Sequence, residues 1–153
     1  MDLILWRHAE AHEPQAQGDD LARELTARGA KQATRMAAWL DRHLPDGTRI
    51  MCSPARRTLQ TAEALGRRYE VRNELAPDAD HEALLALVRW PECRGTVLVV
   101  GHQPTLGRTV AQLLGMAEGD LPMRKGSLWW LRTRERDGQR QTVVVAAQSP
   151  ETV

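Results

Sequence analysis

Hydrophobic and polar positions follow two different periods along this chain. Short unbroken apolar runs, LILW at 3–6 and TVLVVG at 96–101, are bounded by charge or glycine, as expected of strands buried on both faces. Elsewhere the period lengthens to three and four. In TARGAKQATRMAAWLDRHL (26–44), Ala33, Met36, Ala37, Leu40 and Leu44 line one face of a helix capped at Thr26. TRIMCSP (48–54) predicts a short strand over 49–52, then Ser53 as N-cap and Pro54 as first residue of a helix with Ala55, Leu59, Ala62 and Leu65 inward. YEVRNEL (69–75) predicts another strand, and Asp80 caps a helix through HEALLALVRW that Pro91 stops. After GTVLVVGHQP (95–104), a helix opened by Pro104 buries Leu106, Val110, Leu113 and Leu114 and closes near Gly115. SLWWLRT and TVVVAAQ, joined through RDGQR, predict an antiparallel hairpin.

Strands that alternate with helices and finish in a hairpin predict an α/β layer fold with a mostly parallel sheet. The 153 residues suit one ordinary domain over 1–153, with no second domain expected. No apolar run is long enough for a membrane span, and Asp2 and Arg7 interrupt any secretory signal, so a cytoplasmic protein is expected. Lys plus Arg number 21 against 20 Asp plus Glu, which leaves no global positive excess for a nucleic-acid backbone. Cys52 and Cys93 stand too far apart for a zinc spacing and are too few for a disulfide framework; they read as inert reduced thiols.

Three predicted strands end in residues of matching character. Arg7 and His8 follow the first, Ser53 with Arg56 and Arg57 the second, and Gly101 and His102 the third. The carboxyl ends of parallel strands share one edge, where ligands of such folds bind, so these residues converge although distant in sequence. Helix N-termini at the same edge favour an anion. Arginine forks suit a tetrahedral phosphoryl group, and a neutral histidine nitrogen can attack phosphorus and carry the group as a phosphoramidate. Arg7, Arg57 and His102 would then neutralise the equatorial oxygens, with no metal or other cofactor called for.

Arg7-His8 near the start, SPARRTLQTAE in the middle and VVGHQP beyond it resemble the histidine phosphatase (phosphoglycerate mutase-like) superfamily over nearly the whole chain. The short length, the WRHAEA opening and LTARG before the first long helix look most like SixA-type phosphohistidine phosphatases. The resemblance implies a three-layer α/β/α sandwich with a mixed, mostly parallel sheet. It also implies that His8 is the phosphorylated nucleophile, that Arg7 and Arg57 hold phosphate, that His102 completes the pocket, and that the substrate is a phosphohistidine protein. Arg57, four residues after Ser53, fits the family's second arginine; Arg56 points away around the helix. Ala9 stands where many members have glycine. Related mutases and phosphomonoesterases take their proton donor from the region before the second histidine, where Glu74, Asp78, Asp80 and Glu82 are available; Glu10 is a further acid at the rim. A phosphohistidine leaving group needs less protonation than an alkoxide, so a dedicated acid is dispensable.

Other readings compete with this one. HAEAH (8–12) could aim His8, Glu10 and His12 at a metal from an extended segment. The order of the other motifs instead sends Glu10 and His12 to the rim of the loop EAHEPQAQGDD, whose remaining charges are expected to be solvated. Ser53 lacks the G-x-S-x-G surroundings of a nucleophilic serine. Adjacent Trp129 and Trp130 must face opposite sides of a strand, which suggests a partner surface on one side. The alternative functions are a small-molecule phosphomonoesterase of the same superfamily and a non-catalytic phosphoprotein-binding module, which would be marked by loss of His8 or His102. The sequence leaves oligomeric state open.

Overall fold

The computed structural model describes residues 1–153. Six strands form one sheet: β1 (Asp2–Arg7), β2 (Arg49–Cys52), β3 (Glu70–Val71), β4 (Thr96–Gly101), β5 (Leu128–Arg136) and β6 (Gln139–Gln148). Their spatial order is β3-β2-β4-β1-β5-β6. The first four in that order run parallel, and β5 and β6 add an antiparallel hairpin. Asp137 and Gly138, both at positive φ, connect Arg136 to Gln139 in a tight two-residue turn that matches the strand twist.

Side chains alternate across the sheet and bury both faces. Ile4, Trp6, Ile50, Cys52, Leu98 and Val100 pack under Met36, Ala37 and Leu40 of α1 (Ala27–His43) and Ala62 of α2 (Arg56–Glu63). On the other face, Leu3, Leu5, Met51, Val97 and Val99 meet Leu84, Leu85 and Val88 of α3 (His81–Val88) and Leu106 and Val110 of α4 (Thr105–Leu113). The result is the expected α/β/α sandwich, and the continuous apolar strands are those with helices above and below. No helix is long and apolar enough to cross a membrane.

Local differences from the sequence expectations have local causes. Thr26 caps α1 through Gly29 N–H as expected, and Asp80 caps α3 through Glu82 N–H. The helix after β2 begins at Arg56, with Ala55 as its N-cap, rather than at Pro54. Ser53 accepts from Ala55 N–H inside the turn that precedes the helix, so its hydroxyl caps the turn rather than the helix. Pro104 likewise sits at the N-cap of α4, one residue before the first helical position. YEVRNEL contributes only the two residues of β3, because Asn73–Leu75 turns into a 3₁₀ helix. Trp130 is buried and Trp129 is half-buried against the core, so neither offers the exposed indole that the sequence suggested.

Candidate functional site

The carboxyl edge of β1, β2 and β4 gathers the predicted residues. Arg7 is registered against Gly101, His8 N–H donates to the Gly101 carbonyl at 3.1 Å, and Ser53 N–H donates to Val100 at 3.1 Å. On the other side, the His8 carbonyl accepts from Gly126 N–H at 2.9 Å. His8 is therefore pinned from both flanks by backbone that belongs to the sheet and to the segment leading into β5. His8 and His102 are 6% and 4% exposed, and their rings lie 5.3 Å apart between centroids.

The His8 ring has a defined orientation. Its Nδ1 lies 2.7 Å from the Ala9 carbonyl oxygen, an atom that can only accept, so Nδ1 carries the proton and Nε2 carries the lone pair. Burial is the main cause that pushes His8 down to about 4, and the nearby Arg7, Arg57 and Arg23 push the same way; the bond to Ala9 only partly opposes them. His102 is pushed to about 3, by burial first and then by His8 and Arg57. Both rings are neutral at pH 7. His102 Nε2 lies 2.7 Å from the Ser53 hydroxyl. Ala9 tolerates its side chain in the position that glycine often fills: it is fully buried, and its N–H donates to Thr61 Oγ1 at 3.1 Å.

The two arginines share one arrangement. Arg7 Nη1 donates to the Met123 carbonyl at 2.6 Å. Arg57 Nη1 donates to the Asp20 carbonyl at 2.8 Å and its Nη2 to the Asp20 carboxylate at 3.1 Å. In both residues Nε is buried and bonded to no protein atom. A buried guanidinium N–H without an acceptor costs roughly 1–3 kcal/mol or more, so the pair fits an incoming anion. Arg57 is 3% exposed, whereas Arg56 faces solvent and pairs with Glu24 at 3.2 Å. One residue of helix rotation separates a pocket side chain from a surface one.

The rim acids are placed elsewhere. Glu10 accepts from Thr26 Oγ1 at 2.7 Å and sits over the start of α1, where a Cβ on Gly29 would overlap the Glu10 carbonyl oxygen. Glu74 is exposed and paired with Arg72 at 2.7 Å, a bond that holds its carboxyl below the usual range. His12 is exposed, with its N–H on the Glu24 carbonyl, so His8, Glu10 and His12 do not form a cluster. Cys52, pushed up to about 12 chiefly by burial, is an unreactive core thiol.

Sequence reasoning missed Asp20 and Arg23. The loop charges were expected to be solvated, yet Asp20 binds Arg57 and also accepts from Arg23 Nε at 2.9 Å. Burial would raise the Asp20 carboxyl, but bonds and charge from these arginines outweigh it and hold the group ionised. Arg23 in turn donates to the His12 carbonyl at 2.6 Å, closing the loop on itself. Only the density of charge in GDDLARE hinted at such pairing.

Comparison with known proteins bears on the family and the fold. The phosphohistidine phosphatase SixA of Escherichia coli strain K12 is 32% identical over 121 residues, 74% of each chain. A phosphohistidine phosphatase SixA homolog of Haemophilus influenzae is 28% identical over 167 aligned residues, covering 98% of this chain and 97% of its own. The solved structure of the protein histidine phosphatase SixA complexed with tungstate superposes with a TM-score of 0.76 at 28% identity, covering 98% of this chain and 97% of that one. Residues 3–80 match the sequence profile of the histidine phosphatase superfamily, branch 1. The chain belongs to the histidine phosphatase superfamily, with a SixA-like sequence and fold.

Proposed function

We propose that this protein is a phosphohistidine phosphatase that removes the phosphoryl group from histidine side chains of other proteins, with His8 as nucleophile and without a cofactor. The observation that carries the reading is the fixed tautomer of His8: Nδ1–H is committed to Ala9, Nε2 is free, and the buried Nε atoms of Arg7 and Arg57 are uncommitted. In the first step Nε2 bonds to phosphorus as the bond to the substrate ring nitrogen breaks, and a substrate ring protonated at its distal nitrogen leaves neutral. Phospho-His8 keeps its Nδ1 proton, so it is a phosphorylated imidazolium. Water then attacks phosphorus, His8 departs as neutral imidazole, and the water's proton goes to the released phosphate. Both steps break a phosphorus–imidazole bond, so one pocket serves both.

Arg7 and Arg57 would offer Nε–H to the equatorial oxygens, where developing charge is best stabilised by donors already in place. Ser53 already accepts from Ala55; giving its own proton to His102 Nε2 leaves His102 Nδ1–H as a third donor. The tungstate complex of a SixA relative supports a site for a tetrahedral oxyanion. Glu10 and Glu74 are committed to Thr26 and Arg72, which favours a leaving group that does not depend on their help. Hydrolysis of a phosphohistidine-bearing protein and of an alkyl phosphomonoester, compared at equal concentration, tests the reading. Phosphohistidine turning over at least about tenfold faster is expected; a faster ester would overturn it in favour of a small-molecule phosphomonoesterase.

A further inference from the structure

We infer that Asp20 is a positioning residue, whose carboxylate and backbone carbonyl together turn Arg57 so that its Nε edge faces the phosphoryl group. The inference rests on the proposed phosphate site and assigns a role that the three strand ends do not contain. Arg57 extends from the first turn of α2, and nothing in that helix fixes the plane of its guanidinium. Asp20 takes both terminal nitrogens, Nη1 at the carbonyl and Nη2 at Oδ2. The nitrogen left over is Nε, buried and without a protein acceptor. Arg7 shows the same division, with Nη1 on a backbone carbonyl and Nε uncommitted.

What differs is the source of the anchor. Met123 approaches Arg7 from the segment before β5, whereas Asp20 stands in a 3₁₀ turn of the loop between β1 and α1. That turn is itself braced. Asp19 accepts from Leu21 N–H at 3.0 Å, Asp20 Oδ1 accepts from Arg23 Nε at 2.9 Å, and Arg23 reaches back to the His12 carbonyl. Each Asp20 carboxylate oxygen therefore serves a different arginine, and the loop is folded so that one of them is Arg57. The carboxylate also lies close enough to offset part of the positive field that Arg57 places on His102. A planar guanidinium held at one edge loses less freedom when its other edge engages an oxyanion.

A double-mutant cycle between Asp20→Asn and Arg57→Ala tests this, read by calorimetric binding of tungstate and by the KM and kcat of the phosphohistidine reaction. Asp20→Asn keeps the backbone carbonyl but removes the charge, so tungstate affinity falls about fivefold to tenfold and KM rises in step, with kcat within about twofold. In the Arg57→Ala background the same substitution has no further effect on tungstate binding, because its target is gone. Tighter tungstate binding by Asp20→Asn would show the carboxylate competing with the oxyanion and overturn the inference. So would an undiminished fall in the Arg57→Ala background. If Arg57→Ala weakens binding and Asp20→Asn does not, the inference fails while the proposed function stands; if Arg57→Ala leaves tungstate binding unchanged, the inference fails together with Arg57's place in the phosphate site.

Discussion

The pocket has two halves that are built differently. One is the carboxyl edge of β1, β2 and β4, where Arg7 ends its strand and His8, Ser53 and His102 follow directly on strands whose side chains are almost entirely buried. The other is the loop between β1 and α1, where Asp20, braced by Arg23, and Glu24 reach α2 through side chains that are partly exposed. The first half is fixed by backbone bonds on both flanks of His8 and by the buried apolar clusters on the two faces of the sheet. The second is fixed by charge-assisted bonds, most of them open to water and individually weak. The sheet edge thus holds the chemistry in register, while the loop holds the outer edge of Arg57.

This contrast can be broken at graded points. Losing the nucleophile is the most severe: His8→Ala should lower turnover by at least about a thousandfold, because the remaining donors cannot accept the phosphoryl group. Next comes the clamp. Arg57→Ala should reduce kcat/KM about a hundredfold, the scale of removing one preorganised charge donor, whereas Arg56→Ala, one residue away, should stay within about twofold. Equal losses at the two positions would contradict the placement of Arg57 inside and Arg56 outside.

The junction of the halves is a steric test. Gly29→Ala puts a methyl against the Glu10 carbonyl, backbone that is itself tied to Thr26 N–H, so one side must move. A loss of about 1–3 kcal/mol in urea unfolding is expected; unchanged stability would mean that the loop yields freely. Acid stability tests the sheet half. His8 takes a proton near 6.5 when unfolded but only near 4 when folded, so the unfolded state binds more protons throughout that window. Stability should therefore fall as pH drops from about 6.5 to about 4, by on the order of 3 kcal/mol on account of His8. That slope should be reduced in His8→Ala. The smallest effect is reserved for Glu74→Gln, within about twofold in activity, since its carboxylate serves Arg72 at the surface.

The legibility of the two halves in the sequence follows from the same physics. Strands buried on both faces must be apolar without interruption, so LILW and TVLVVG announce themselves, and the parallel crossover rule then brings Arg7-His8 and His102 together. Thr26 and Asp80 were legible because capping is a contact within one turn. Asp20 was not, because its partner lies 37 residues away and nothing local favours one acid of GDD over the other. Ser53 was legible only in part. Its turn cap is local, but its bond to His102 depends on the adjacency of β2 and β4. The helix starts misjudged at Pro54 and Pro104 share a cause: proline is equally at home in the turn just before a helix and in its first position.

The central claim is that His8 Nε2 carries the phosphoryl group between substrate and water. Rapid quench in alkaline detergent of the wild-type protein mixed with a ³²P-phosphohistidine protein, followed by peptide mapping in alkali, reads that claim directly. A transient, acid-labile and alkali-stable label is expected on the peptide that contains His8, formed before inorganic phosphate and absent from His8→Ala. Release of phosphate at the wild-type rate by His8→Ala, or label on another residue with His8 unmarked, would contradict it.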